Sequence, residues 1–376
     1  MAEPFGVAVF GCGGVSQGHF SAYAANPKAR LIAAVDVRPA LAQAAAERWG
    51  ARRWYGSVAE ALADPEIQVA DLCLPHHHHA PVAIQAAAAG KHVFVEKPIA
   101  NTLEEADAMI AACQQHGVLL MVDQTKRYQN RHRTLKRLLD AGYVGAPILV
   151  RAAYLQDITY AWAHMEPERL ATYWKHDGVI AGIGIHVLDL LRWLIGEATE
   201  VQAVASTSDL IDPARATEDT GLVTLRFANG CVGEATVSYV LKDPRLASGW
   251  DVMPIEIFGR DGSIRMDWDD TITVTSRTIG GEAGAGVFQI HPTPPVGAPR
   301  PPVEGMAGAI DHLLDCLREG QQPLTHGEDA RSSLELVEAA YRSIAEGRPI
   351  RLPLTPTAPD RVADRPAIGA STGGRA

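Results

Sequence analysis

Apolar residues fall in short unbroken runs over the first third of the chain and alternate with polar ones over much of the rest. Phe5–Phe10 (FGVAVF) is one such run, leading straight into glycines, as a strand buried on both faces of a parallel sheet does. Residues 16–26 read as a helix, and Leu31–Val35 as a second buried strand ending at Asp36. Residues 39–49 are alanine-rich and helical, with Pro39 tolerated in the first turn. Short strands follow at 53–55, 69–74, 92–95 and 118–122, with helices between them at 57–63, 80–89 and 102–116. Strand and helix alternating at this pitch predict an α/β Rossmann domain, a doubly wound parallel sheet covered on both faces. After about residue 123 the texture changes. A helix at 130–141, a strand at 148–156 and a helix at 184–195 lead into strands at 199–208, 219–228, 231–240, 253–259, 262–268 and 271–277. Turns such as Asn229-Gly230 and Asp261-Gly262 favour tight hairpins there. This half predicts an α+β domain, mostly antiparallel, closed by helices at about 304–319 and 327–346. The expected division is a dinucleotide-binding domain over 1–123, a substrate-binding and oligomerisation domain over 124–354, and a disordered tail over 355–376. The proline-rich stretch 291–302 is expected to be a surface loop.

Composition narrows the class. A chain of 376 residues with 47% hydrophobic and 21% charged residues can bury large cores without staples. The net charge of -10, with no run of like charge, argues against non-specific nucleic-acid binding. Cys12, Cys73, Cys113, Cys231 and Cys316 are scattered and odd in number, with no C-x-x-C pair, so neither a disulfide framework nor a zinc site is expected. The apolar start is too short for a signal peptide and no apolar segment approaches membrane length, which makes cytoplasmic the expected location.

Gly11-Cys12-Gly13-Gly14-Val15-Ser16 lies directly after the first strand and opens the first helix. In a Rossmann unit the first glycine permits the turn, the second lets the backbone approach a pyrophosphate, and the third allows close helix–strand packing. Ser16 at the third position is small but not glycine. Asp36, with Val37 and Arg38 after it, ends the second strand about 20 residues on, where an acid would bind the adenosine ribose. A carboxylate there favours NAD over NADP; Arg38 could still pair with a 2′-phosphate, or simply lie solvated against the adenine.

The strand within KHVFVEKP (91–98) ends in Glu96-Lys97-Pro98 at the carboxyl edge of the sheet, where open α/β sheets bind ligands. Lys97 there would project toward a nicotinamide, whose positive ring and partial desolvation would lower the lysine's pKa and let it exchange a proton with a hydroxyl. Pro98 stiffens the turn and is compatible with a cis bond.

These motifs, with Leu74-Pro75-x-x-x-His79, Gly90-Lys91-His92-Val93, Arg127-Tyr128 and Gly184-Ile185-His186-x-x-Asp189 in order behind them, resemble the Gfo/Idh/MocA oxidoreductases over roughly residues 5–350. The resemblance implies a second domain built on a large open antiparallel sheet. It implies an NAD(P)-dependent dehydrogenase acting on a sugar, sugar-nucleotide or inositol hydroxyl. It also implies Lys97 as catalytic residue, with Leu74, Pro75 and His79 under the nicotinamide half and Glu96 and Lys97 as cofactor and substrate contacts. His76–His79 stand consecutively and cannot all face one ion, so no metal is expected.

The chain departs from the family pattern between 174 and 193. His176, Asp177 and Gly178 replace a triple glycine, and Gly182 stands where an acid normally precedes His186 by one helical turn. Either Lys97 and His186 carry proton transfer alone, or Asp177 or His176 supplies the missing group, or the chemistry differs from plain dehydrogenation. Arg127, Tyr128, Arg131, Tyr154, Gln156, Trp162, His164, Tyr173, Trp174, Lys175, Asp177 and His186 are the candidate substrate contacts. Aromatic groups suit the C–H face of a polyhydroxylated ring, and the density of cations suggests an anionic substituent. The alternatives to a sugar or cyclitol dehydrogenase are a redox-neutral NAD-dependent glycosidase that recycles its cofactor, and a non-catalytic cofactor-binding protein. One open sheet face implies a homodimer or homotetramer.

Overall fold

The computed structural model describes residues 3–157, 178–208, 217–241, 253–279, 284–292 and 304–354. These form two compact units: the described parts of Met1–Gln129 with Pro301–Leu334, and those of Asn130–Arg300 with Glu335–Ala376. The pattern-based boundary at 123/124 differs from this division in two ways: residues 124–129 stay with the first unit, and residues 304–334 return to it. Nothing local marks that return, because it depends on which surface the helix Gly305–Glu319 finds. The expected tail, and most of the proline-rich loop, lie outside the described residues.

In the first unit, β1 (Phe5–Phe10), β2 (Ala29–Val35), β3 (Arg53–Tyr55), β4 (Val69–Leu72), β5 (His92–Val95) and β6 (Leu120–Val122) pair in parallel in the order β3-β2-β1-β4-β5-β6. Helices α1 (Ser16–Ala25), α2 (Pro39–Trp49), α3 (Val58–Leu62), α4 (His79–Ala88) and α5 (Leu103–Gln115) make the crossovers. The chain starts in the middle of the sheet and walks to each edge, which opens a crevice at the carboxyl ends of β1 and β4. Local chemistry starts the helices: Pro39 opens α2, and the Thr102 hydroxyl accepts from Glu105 N at 3.1 Å to cap α5. Val7, Val9, Phe20, Tyr23 and Phe94 share a core with Ile310 and Leu313 of the returning helix. Lys28 binds Asp311 at 2.8 Å and Asp315 at 2.7 Å on that same helix.

In the second unit, α6 (Asn130–Asp140), β7 (Pro147–Leu155) and α7 (Ile185–Ile195) precede β8 (Ala198–Ser206), β9 (Thr220–Phe227), β10 (Val232–Ser238), β11 (Ile255–Gly259), β12 (Gly262–Met266), β13 (Ile272–Ser276), β14 (Gly286–Ile290) and β15 (Ile350–Arg351). They form a nine-stranded sheet, β14-β13-β12-β11-β7-β10-β9-β8-β15, in which only β7 and β10 run parallel. Alternation sets its two faces: β9 buries Val223, Leu225 and Phe227 and exposes Leu222, Thr224 and Arg226. The pattern missed β14 and β15, which are too short or too isolated to announce themselves.

A wide π-type turn at Ile180–Gly184 feeds into α7 and was also unforeseen. Its amides are held by side chains from distant segments. The buried Glu218 carboxylate accepts from Ile180 N at 3.1 Å and from the Tyr341 hydroxyl at 2.6 Å, and Ala181 N donates to that hydroxyl at 3.2 Å. Gly178 is required beside them, since a Cβ there would lie 2.0 Å from the Glu218 carboxylate. Replacing Tyr341 by Phe removes a donor and an acceptor from this buried cluster. A loss of about 1–3 kcal/mol is expected in urea denaturation, and an unchanged midpoint would refute this account of the turn.

Candidate active site

The glycine turn is shaped by backbone crowding on one side and open space on the other. Gly11 has φ 92°, and a Cβ there would lie 2.3 Å from the Cys73 carbonyl oxygen. Gly13 faces open space. Ser16, buried at the third fingerprint position, donates its hydroxyl to the Gly13 carbonyl at 2.8 Å and so folds back beneath the turn. Helix α1 has exposed Val15 at its N-cap, no side-chain cap and no acid in its first turn; Gln17 N and Gly18 N bond back to the Gly14 and Val15 carbonyls, and the positive end of the helix faces the turn. Asp36 accepts from Cys12 N at 3.0 Å through one oxygen and from Arg38 N at 2.9 Å and Arg38 Nε at 3.2 Å through the other. Burial alone would push this carboxyl up; the two amides and the guanidinium outweigh it and hold it below the usual carboxylate range. Val37 is 83% exposed and Arg38 and Gly14 are exposed beside it. An open backbone cradle next to an ionised carboxylate fits a dinucleotide's pyrophosphate and ribose.

At the carboxyl edge of β4, Leu74 and Pro75 are partly exposed and exposed, and His76–His78 form one 3₁₀ turn before α4. His79 is fully buried, with its ring nitrogens 2.9 Å from the carbonyl oxygens of Leu74 and Pro98. It straps the Leu74 loop to the turn that carries Lys97, and the Lys97–Pro98 bond in that turn is cis. Lys97 is partly exposed, and its amide donates to Glu96 Oε2 at 3.1 Å.

Beneath Lys97 lies a cluster that sequence reasoning did not find. His19, from α1, has Nδ1 2.8 Å from Asp71 Oδ2, and its Nε2 lies 3.1 Å from Glu96 Oε1 and 3.6 Å from Asp123 Oδ2. His19, Asp71 and Asp123 are fully buried. Burial opposes the charged imidazolium, but Asp71 and then Cys73 raise its pKa well above the usual value. Glu96 is pushed up by burial and pulled down further by His19 and Lys97, ending below the ordinary range. Asp123, desolvated and facing Glu96, is raised well above it. The available signal was three acids at or just past the ends of consecutive strands β4, β5 and β6. Among the described residues, the groupings with metal-ligand proximity are His19–Asp71–Cys73 and His19–Glu96–Asp123.

The second unit holds the other candidate group. His186, on the first turn of α7, is 7% exposed, and its ring centroid lies 6.2 Å from that of Tyr154. Gln156 Nε2 donates to the Tyr154 hydroxyl at 3.2 Å. Two expected substrate contacts are engaged inside the first unit. Tyr128 is fully buried, with its hydroxyl 3.1 Å from Thr325 Oγ1 and its ring 5.5 Å from His312. Arg127 is 1% exposed and pairs with Asp329 at 2.9 Å. Both are covered by the returning C-terminal segment, which local pattern could not reveal. Arg131 is engaged by Asp270 at 2.8 Å. Trp162, His164, Tyr173, Trp174, Lys175, His176 and Asp177 lie outside the described residues.

The model of an oxidoreductase family with an NAD-binding Rossmann fold matches residues 5–124, and that of the family's C-terminal alpha/beta domain matches residues 152–352. The chain belongs to the Gfo/Idh/MocA oxidoreductases. Its first unit is the NAD-binding Rossmann domain of that family, and its mixed, mostly antiparallel sheet is the second. It is 29% identical over 352 residues to D-apiose dehydrogenase from Paraburkholderia graminis, covering 92% of this chain and 89% of that protein. It is 32% identical over 299 residues to levoglucosan dehydrogenase from Pseudarthrobacter phenanthrenivorans, covering 70% of this chain and 73% of that one. A solved levoglucosan dehydrogenase in complex with NADH and levoglucosan superimposes with a TM-score of 0.80 at 26% identity, covering 93% of this chain and 100% of the other.

Gly182 stands where the resemblance implies an acid in other Gfo/Idh/MocA chains. A Cβ at Gly182 would lie 2.2 Å from the Tyr239 hydroxyl oxygen. The phenol of Tyr239, 4% exposed just past the end of β10, thus fills the volume an acidic side chain would need. It stands far from Gly182 in sequence, and no local motif could have pointed to it.

Asp36→Asn removes the charge but keeps the shape. NADH affinity, followed by fluorescence titration, is expected to fall about 10- to 100-fold, the worth of charged hydrogen bonds. Affinity equal to wild type would exclude Asp36 from the cofactor site.

Proposed function

We propose that this oxidoreductase transfers a hydride between a hydroxyl-bearing carbon of a sugar, sugar acid or inositol and NAD. The observation that carries the proposal is the placement of Lys97. It sits half-exposed at the carboxyl edge of the parallel sheet, on a turn fixed by His79 from one side and Glu96 from the other. The sugar dehydrogenases among its relatives support the substrate class.

Gly11, Cys12, Gly13, Gly14, Val15 and Ser16 would hold the pyrophosphate, and Asp36 the ribose. When bound, NAD would supply the acceptor for the carbinol hydride. Lys97 Nζ takes the hydroxyl proton as the carbonyl forms, so it must be neutral for oxidation and charged for reduction. His186 is the second unit's candidate proton-transfer group. Tyr239, whose hydroxyl fills the space over Gly182, can donate or accept a hydrogen bond without adding charge. Tyr154 and Gln156 flank His186 as further substrate contacts.

The test is turnover of D-apiose, levoglucosan, myo-inositol and a sugar carboxylate with NAD, read as NADH formation. Lys97→Met is expected to lower kcat by about 10²–10⁴-fold with NADH affinity near wild type. Tyr239→Phe is expected to cost about tenfold, one hydrogen bond's worth. Wild-type turnover by Lys97→Met would end the proposal. Aglycone release from a glycoside with no net NADH would replace it by the redox-neutral glycosidase.

The outward face of the nine-stranded sheet carries exposed Val204, Leu222, Val232 and Val287. Val204 and Leu222 are directly paired across β8 and β9. We infer that copies of the chain associate through this face as a homodimer or homotetramer. Light scattering should find an oligomer that Val204→Lys with Leu222→Lys dissociates; a wild-type monomer at micromolar concentration would refute the inference.

A further inference from the structure

Three carboxylates and one imidazole are buried together at the carboxyl edge of the first unit's sheet, and the proton transfer described above uses none of them directly. Every element around His19 contributes a polar group or a ring. From α1 itself comes the buried Tyr23; from β4 and its end, Asp71 and Cys73; from the end of β5, Glu96 and Lys97; from the end of β6, Asp123. Phe94 lies against the ring at 5.7 Å, and His79 and Tyr128 bear on Glu96 and Asp123 from farther out.

The geometry decides the protonation. Both ring nitrogens of His19 face carboxylate oxygens, at 2.8 Å and 3.1 Å. Set between two carboxylates, the ring is favoured as an imidazolium donating from both nitrogens; burial opposes the charge, and Asp71 raises the pKa in spite of it. Both Asp123 oxygens are buried with no hydrogen-bond partner, a site that favours the neutral acid. The cluster then holds one cation and two carboxylates, and the amine of Lys97 feels their sum. Removing any member changes the potential at that amine.

We propose that His19 is a positioning residue of the Lys97 site: anchored by Asp71, it clamps the Glu96 carboxylate and so sets the orientation and charge state in which Lys97 is presented. Glu96 is joined to Lys97 by the bond from Lys97 N to Glu96 Oε2 at 3.1 Å, while its other oxygen is held by His19. Without His19 the Glu96 carboxylate exerts its full charge on the amine and favours the ammonium, the form that cannot accept a proton from a hydroxyl. The proposal deepens the role of Lys97 given above and rests on it, but it can be tested without turnover.

The measurement is trace labelling of the full-length protein with acetic anhydride across pH. Mass spectrometry of the peptide that carries Lys97 then gives the pH midpoint of its reactivity. His19→Asn deletes the buried cation and frees Glu96, so both effects stabilise the ammonium. The midpoint should move up by about one pH unit, the size expected for a charge several ångströms away in a protein interior. Glu96→Gln, close in shape, deletes the anion and should move the midpoint down by a similar amount. A residue that only supports the fold would lower the melting temperature of both variants and leave both midpoints in place. Midpoints unmoved, or moved in the same direction, overturn the proposal. So does a stoichiometric metal in the purified wild type that is lost with His19→Asn, because the ring would then be a ligand and not a cation. Failure of Lys97→Met to slow turnover would end the catalytic reading while leaving these midpoints as they are, so the two claims fail separately.

Discussion

The first unit is organised around the burial of negative charge at the carboxyl edge of its parallel sheet. Burying a carboxylate is expensive unless it meets a cation or several donors. Asp71, Glu96 and Asp123 come from three neighbouring strand ends, and β4, β5 and β6 are held in register by main-chain pairing, so the three cannot separate. His19 reaches them from α1 because Gly11 lets the chain reverse within one turn, pressed against the Cys73 carbonyl. The glycine turn and the helix that carries His19 are thus one piece of backbone, which ties that turn to the lysine-bearing edge.

The second unit solves a different problem. Its nine-stranded sheet buries one face by simple alternation, yet the segment that presents His186 begins in a π-type turn. Such a turn leaves amides that no regular helix would satisfy. Glu218 and Tyr341 take up those at Ile180 and Ala181. Tyr239 occupies the space over Gly182. Substituting glycine for an acid at 182 therefore goes with a phenol from the sheet, and with Gly178 making room for Glu218. The departures from the family pattern are coupled by packing and are not independent losses.

Several motif residues turn out to serve the scaffold. His79, its pKa lowered to about 4 by burial, has one ring N–H to donate between the Leu74 and Pro98 carbonyls, and Lys91 reaches inward to the carbonyls of Asp64 at 2.9 Å and Ile67 at 2.8 Å. Arg127 and Tyr128 are likewise committed, to Asp329 and Thr325. Charged and aromatic residues near a site look alike in a sequence whether they face a ligand or hold the loops that do.

The order of buried strands and helices, the glycine turn, Asp36 and Lys97 were all legible in the chain, because each depends on neighbours within a few residues. Hydrophobic period, turn chemistry and strand-end position are local properties. The sequence by itself therefore determined the two folds and the lysine-bearing edge. Only tertiary structure decided that His19 is a caged cation, that Tyr239 fills the place beside Gly182, and that the helix Gly305–Glu319 returns to cover Tyr128. Those facts rest on contacts between residues tens to hundreds of positions apart, where burial and pairing, and not local preference, set the free energy.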